Sequence, residues 1–325
     1  METIHSTSRS RPAKRLGTTV NLPDALDAPR RELSSKALGR VAYYEDIPAQ
    51  AQQTRPLLLI HSINAAPSSY EVRPIFDHFQ GRRPIFSPDL PGFGHSERGD
   101  RNYSPQLYAD TINALLNQVI GEPADVVALS LSAEFAARAA IANPDAFASL
   151  ALISPTGFMN RAMPSPRTGR FAHGALTVPL WGQGLFDLVA SRRSIRYFLN
   201  QSFTDKAPEH LIDYAYATAH QPGARHAPLT FLSTRLFSRN ASDTLFARLH
   251  PLPVLAIADR DPYVTFERLP AFADARPNWY FETLAPNSGL PHWEHPQETC
   301  ETLSRFWERN SVSAIPVKSP TRAAG

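Results

Sequence analysis

Val126-Val127-Ala128-Leu129-Ser130-Leu131-Ser132-Ala133 begins as a run of apolar β-formers, passes through one serine and enters an alanine-rich helical stretch. A serine between a buried strand and a helix start has the geometry of a nucleophile elbow, in which a tight turn holds the hydroxyl clear of the sheet. The helix N-terminus behind it offers backbone N–H groups and a favourable dipole to an oxyanion. The glycines of the G-x-S-x-G pattern are missing, since the stretch reads Ala128-Leu129-Ser130-Leu131-Ser132. Taken alone, a serine in such a turn is more often an ordinary helix cap. The surrounding segments give this one its meaning.

Upstream, Leu57-Leu58-Leu59-Ile60-His61-Ser62-Ile63-Asn64 is a buried strand that ends in a polar loop. Asp89-Leu90-Pro91-Gly92-Phe93-Gly94-His95-Ser96 follows a second strand. Downstream stand Pro253-Val254-Leu255-Ala256-Ile257-Ala258-Asp259-Arg260-Asp261-Pro262 and Leu290-Pro291-His292-Trp293-Glu294-His295-Pro296. In this order the segments resemble the α/β-hydrolase superfamily, in its capped branch of esterases, lipases and related enzymes. The resemblance covers residues 39 to 310 and is weaker through the middle third. Its most specific part is the D-L-P-G-F-G-H-S segment; the elbow matches least well.

Composition fits a soluble enzyme. At 325 residues and 42% hydrophobic, the chain has material for a sizeable core as one large domain with an insertion or as two small ones. No apolar run approaches the ~20 residues needed to cross a membrane, so stable membrane insertion is not expected. A single cysteine, Cys300, excludes an internal disulfide and agrees with a cytoplasmic, reducing setting.

The net charge of +3 is carried by the ends. Residues 1–40 hold eight Lys/Arg against four acids, and residues 311–325 add Lys318 and Arg322, which leaves the intervening region at −3. Nucleic-acid binding by the folded body is therefore not expected. Residues 1–38 read as a disordered N-terminal tail, rich in Ser, Thr, Arg and Pro and without an apolar signal core. Such composition also suits an organelle transit peptide, although a plain cytoplasmic tail is the commoner case. Residues 311–325 read as a second disordered tail.

Between the tails, strand-like and helix-like segments alternate, the pattern of a mostly parallel sheet covered on both faces. Strands are expected at Arg40–Asp46, Pro56–His61, Pro84–Pro88, Asp125–Leu129, Ser149–Ser154, Pro253–Ala258 and Trp279–Leu284. Helices are expected at Ser69–Phe79, Pro105–Ile120, Leu131–Ala142, Val264–Ala275 and Pro296–Asn310. The alternation breaks between Pro155 and Leu249, a stretch too long for one crossover helix. The resemblance implies that this is a helical lid inserted after strand 6. The expected organisation is an α/β-hydrolase core over 39–157 and 248–310 with a helical cap over 158–247.

Serine hydrolysis needs a base near the hydroxyl, a carboxylate to orient it and donors for the oxyanion. The resemblance implies Ser130 as nucleophile and Asp261, past a buried strand, as the orienting acid, with Asp259 a neighbour able to substitute. The N–H groups of Leu131 and Ile63 are the implied oxyanion donors, Ser62 standing in place of the usual glycine. For the base, the family's G-H-x-x-H-x-E pattern meets Ser288-Gly289-Leu290-Pro291-His292-Trp293-Glu294 here. Gly289 falls at the catalytic-histidine position and His292 at the second, noncatalytic one. Either the loop shifts so that His292 serves as base, or the triad is broken. His61, His95 and His295 read as structural or surface residues.

The expected protein is a serine hydrolase of a small, apolar ester or related acyl compound, working through an acyl-enzyme and without a cofactor or metal. Pro91-Gly92-Phe93-Gly94 lacks the G-x-G-x-x-G spacing of a dinucleotide site. Two alternatives stay open: a catalytically impaired binding protein of the same fold, and a non-hydrolytic lyase or acyltransferase. The oligomeric state is not read from the sequence.

Overall fold

The computed structural model describes residues 21–51, 54–160 and 179–312. Their eight-stranded sheet contains β1 (Arg30–Ser35), β2 (Gly39–Asp46), β3 (Leu57–Ile60), β4 (Ile85–Pro88), β5 (Ala124–Leu129), β6 (Phe147–Ile153), β7 (Val254–Ile257) and β8 (Trp279–Glu282). The spatial order is β1-β2-β4-β3-β5-β6-β7-β8, antiparallel at β1/β2 and β2/β4 and parallel from β4 to β8. This is the α/β-hydrolase sheet expected from the sequence. The order turns back on itself around β3 and β5, and the crevice beyond the carboxyl ends of strands at such a reversal is where open α/β sheets place ligands.

The central strands are buried at nearly every position because both faces are covered. Successive residues feed two separate cores. Leu58, Ile60, Val126, Ala128, Leu150 and Leu152 enter one; Leu57, Leu59, Val127, Leu129, Ala151 and Ile153 enter the other. The first core is closed by α2 (Pro105–Leu115) and α3 (Ser132–Ala142), the second by α1 (Arg73–Phe79) and α11 (Pro296–Val312). Each buried Leu or Ile side chain stabilises this arrangement by roughly 1.5–3 kcal/mol relative to exposure. Ser104 caps α2, its side chain accepting the N–H of Leu107 at 3.2 Å, and Pro105 fills the first helical turn. At the amino ends of the strands, away from the elbow, the buried Asp125 carboxylate accepts Arg83 Nη2 at 2.6 Å and Ser149 Oγ at 2.6 Å.

The N-terminal boundary differs from expectation. Residues 21–38, assigned to the disordered tail, are ordered: Ala25 and Leu26 are buried, and β1 pairs with β2 from Arg30↔Tyr44 to Ser35↔Gly39. Almost every β1 side chain is exposed, so this edge strand carries no apolar alternation by which to read it. At the other end α11 runs to Val312, into the segment assigned to the C-terminal tail. The remaining tail residues, 1–20 and 313–325, lie outside the described residues.

Between β6 and β7 the described residues form α4 (Pro179–Val189), α5 (Arg192–Gln201), α6 (Glu209–Ala219), α7 (His226–Leu232) and α8 (Ala241–Thr244). Residues 161–178, including Phe171, lie outside the description, as does the Trp181 side chain. Helix α6 packs on the body: the Tyr214 ring stacks on Tyr70 with centroids 4.3 Å apart, and its hydroxyl donates to the Pro23 carbonyl at 2.9 Å. The same carbonyl lies 3.0 Å from His95 Nε2. Arg98 Nη2 reaches Thr218 Oγ1 at 3.2 Å. Helix α5 meets the body at the surface, where the exposed Tyr263 donates its hydroxyl to the Phe198 carbonyl at 3.0 Å. Past β7 and β8 come α9 (Leu269–Asp274) and the single turn α10 (Pro291–Glu294).

Candidate active site

Ser130 sits between β5 and α3 with φ 49°, a left-handed conformation that non-glycine residues adopt rarely and at a cost of about 1–3 kcal/mol. Three bonds hold it there. Its N–H donates to Ile153 O at 2.9 Å, its carbonyl accepts Ala133 N at 3.1 Å as α3 begins, and Thr156 N lies 3.5 Å from the same oxygen. The neighbouring Ser132, in the place of the pattern's last glycine, is buried and donates its hydroxyl to His61 O at 2.6 Å. The elbow is thus tied to the loop after β3.

That loop carries Ile63, and among the described residues no hydrogen bond takes up the N–H of Ile63 or of Leu131. The fold itself therefore does not use the two donors expected for an oxyanion. His61 is structural. Its Nε2 accepts the N–H of Leu90 at 2.9 Å, so Nδ1 carries the proton toward Ser62 O at 2.6 Å. Burial lowers its pKa, against smaller opposing effects of Glu71 and Asp89. Asp89 is fully buried and accepts the N–H groups of Ser69 and His95, each at 2.8 Å. Gly94, at φ 49°, lies against it so closely that a Cβ would fall 1.9 Å from Asp89 Cγ, which explains the D-L-P-G-F-G-H-S requirement for glycine.

Asp261 follows β7. Its Oδ1 accepts the N–H groups of Tyr263 at 2.7 Å and Val264 at 3.0 Å. Burial raises its pKa above the usual carboxylate value, and those two N–H groups partly offset the shift. Its Oδ2 faces Gly289, where a Cβ would come within 2.5 Å at a backbone φ of +112°. The structure thus brings the acid against Gly289, and a side chain at 289 requires the carboxylate to move. Asp259, the alternative acid, instead accepts Asn287 N at 3.2 Å.

His292, the expected base, is hydrogen-bonded elsewhere in this structure. Its Nε2 donates to the Glu71 carbonyl at 2.9 Å, and Nδ1 is buried with no hydrogen-bond partner. Neither ring nitrogen is bonded to Ser130 or Asp261. Desolvation pushes its pKa down to about 4, against the upward pull of the Glu71 carbonyl, so the ring is neutral near pH 7. The cause is the turn α10, which Leu290 and Pro291 open and which buries His292 behind the 3-10 turn Ser69–Val72. His295 is engaged at the protein surface with the Pro286 carbonyl at 2.8 Å.

Two contributors escape sequence reading. Ser154, at the end of β6, is also left-handed (φ 47°) and donates its hydroxyl to Gly289 O at 2.8 Å, bracing the loop beside Asp261. Glu71 joins the loop after β3 to α10. The Ser68-x-x-Glu71 spacing is a capping-box signal, yet only Ser68 caps, accepting Tyr70 N at 3.3 Å. The glutamate turns toward Ser62 instead, its Oε2 accepting Ser62 N at 2.9 Å. Among the described residues no group of three or more His, Cys, Asp or Glu is placed to hold a metal ion.

Comparison with known proteins bears on the family and the fold. The model of the alpha/beta hydrolase family matches residues 57–302. An esterase of Mycobacterium tuberculosis is 40% identical over 74 residues, 22% of this chain and 25% of that protein. An uncharacterized hydrolase of Bacillus subtilis is 26% identical over 124 residues, 38% of this chain and 44% of that one. The chain spans about a quarter and under half of the lengths of these curated relatives. Among solved structures, Cfl2 of Burkholderia cenocepacia superposes with a TM-score of 0.67 at 21% identity, covering 85% of this chain and 95% of that one. A thermophilic esterase of Thermogutta terrifontis gives 0.66 at 17% identity, covering 87% and 99%. Likeness at such identity speaks for the fold.

Proposed function

This chain belongs to the alpha/beta hydrolase family, and from that premise we propose that it is a serine hydrolase of an ester or related acyl compound, with Ser130 as nucleophile. The observation that carries the reading is the left-handed Ser130 held between β5 and α3. Strain of this kind persists where surrounding structure over-determines it and clusters at functional sites. In the proposed reaction Ser130 Oγ bonds to the acyl carbon, the carbonyl oxygen takes the N–H groups of Ile63 and Leu131, and the acyl C–O bond breaks, the departing alkoxide taking a proton from water. Water then adds to the acyl-enzyme, releasing the acid and restoring the hydroxyl. Asp261 keeps the orienting acid's place without an imidazole to orient. His292 keeps its place as a brace on Glu71, and the serine proton passes to water. Turnover is then slow and best on esters with good leaving groups.

A fluorophosphonate probe and 4-nitrophenyl acetate test this together. Labelling forms a Ser130 Oγ–P bond with loss of fluoride and is expected at Ser130 alone. Hydrolysis is expected to climb with hydroxide between about pH 6 and 9, with no levelling near 7, because no imidazole titrates as base. A plateau near pH 7 that vanishes in His292→Ala returns the base to His292. Absence of both labelling and hydrolysis sinks the enzyme reading. The second reading, a binding protein of the same fold, is favoured by one observation, the contact of Asp261 with Gly289 where an imidazole would stand.

We further propose that residues 158–247 form a cap over Ser130, supported by the helices α4 to α8 that interrupt the strand–helix alternation. Limited proteolysis is expected to cut within 158–247 or at its joins before the sheet. First cleavage at the Ser130 elbow, with that segment intact, contradicts the cap.

A further inference from the structure

We infer that Glu71 is a positioning residue for the oxyanion loop, an inference that rests on the serine-hydrolase reading above. Its carboxylate holds the loop at two points: Oε2 accepts Ser62 N at 2.9 Å and Oε1 accepts Asn64 Nδ2 at 2.7 Å. These two residues flank Ile63, the expected oxyanion donor. Asn64 extends the lattice, its Nδ2 also reaching Ser62 Oγ at 2.9 Å and its Oδ1 accepting Ala66 N at 2.8 Å. The Glu71 carbonyl accepts His292 Nε2 at 2.9 Å and Trp293 Nε1 at 2.8 Å. One residue thus fixes the loop after β3 with its side chain and the turn after β8 with its backbone.

The arrangement follows from what the sequence lacks. A glycine in the oxyanion loop would let the backbone take unusual angles freely, whereas Ser62 must be held. Preorganised donors are effective because they need not reorient as charge develops. A loop tethered at Ser62 and Asn64 leaves the Ile63 N–H fixed and unpaired between them. The carboxylate also places a negative charge beside that N–H, which opposes an oxyanion. Position and charge therefore predict opposite effects for two substitutions, so the inference is separable from general stability.

The experiment measures fluorophosphonate labelling of Ser130 in wild type, Glu71→Ala and Glu71→Gln, with Ser130→Ala as blank, alongside amide hydrogen exchange at residues 62–64. Glu71→Ala is expected to lower the maximal labelling rate about tenfold or more while the half-saturating probe concentration holds, because the loop loses two bonds to a charged group. Exchange at residues 62–64 rises with it. Glu71→Gln retains an acceptor for Ser62 N and removes the charge, so its rate returns to within about threefold of wild type or exceeds it. The inference is overturned if Glu71→Ala labels within about twofold of wild type, or if Glu71→Gln falls as far as Glu71→Ala. Should wild type fail to label, the reading of Ser130 falls. Exchange then decides for Glu71: faster exchange at 62–64 in Glu71→Ala sustains its hold on the loop, and unchanged exchange overturns it.

Discussion

Ser130→Ala is expected to lower kcat/KM on an activated ester by about three orders of magnitude, to the level that binding and the oxyanion donors alone provide. The folded state should scarcely notice, since alanine keeps the Cβ and the bonds holding the elbow are backbone bonds from Ser130 N and to Ser130 O. Ser130→Gly gives a sharper signature. Glycine adopts φ 49° without strain, so the variant should gain up to about 1 kcal/mol in urea unfolding while losing the same activity. A stability gain joined to loss of turnover marks a strained catalytic position. Equal turnover by either variant removes Ser130 from the mechanism.

Acid is expected to destabilise the fold through His292. In the unfolded chain the ring titrates near 6.5; in the folded protein burial holds it at about 4. Between those values the unfolded state binds the extra proton, so stability is full above about pH 6.5 and falls as pH drops toward 4. The gap corresponds to about 3 kcal/mol at 1.36 kcal/mol per tenfold. His61, buried and also lowered, acts in the same direction. Urea unfolding at pH 7.5 and 4.5 measures the loss. His292→Gln is expected to be less stable at pH 7.5, having lost a buried hydrogen bond, yet to lose about 2.5 kcal/mol less than wild type on acidification to pH 4.5. An acid loss unchanged by the substitution shows that the ring is not the group responsible.

The sheet was legible because its inner strands are continuous apolar runs: Leu57–Ile60 and Ala124–Leu129 fall within a residue of the expected spans. β1 was not, since a strand paired on one edge and exposed on both faces needs no apolar residues. The elbow was legible from a serine between strand and helix even without its glycines, and the place of Asp261 from the strand before it. The histidine question was visible as a mismatch at Gly289 and His292, but its answer depends on how α10 folds. Pro291 and Leu290 turn His292 inward to the Glu71 carbonyl, a contact 221 residues away in sequence. Glu71 carried a local capping signal, and a competing acceptor role beyond local range took its carboxylate. Long-range choices of that kind leave no periodicity to read.

The doubly accepting Pro23 carbonyl ties α6, part of the proposed cap, to the N-terminal segment and to His95. Parting α6 from the body breaks the Tyr214 hydrogen bond and its stack on Tyr70, and strips cover from the segment that buries Ala25 and Leu26. At α5 the fastening is the surface bond from Tyr263, two residues past Asp261, to the Phe198 carbonyl. The Arg196–Glu209 ion pair, at 2.6 Å, joins α5 to α6. Opening of the proposed cap would therefore cost more at α6, with its buried ring stack, than at the exposed bond from Tyr263.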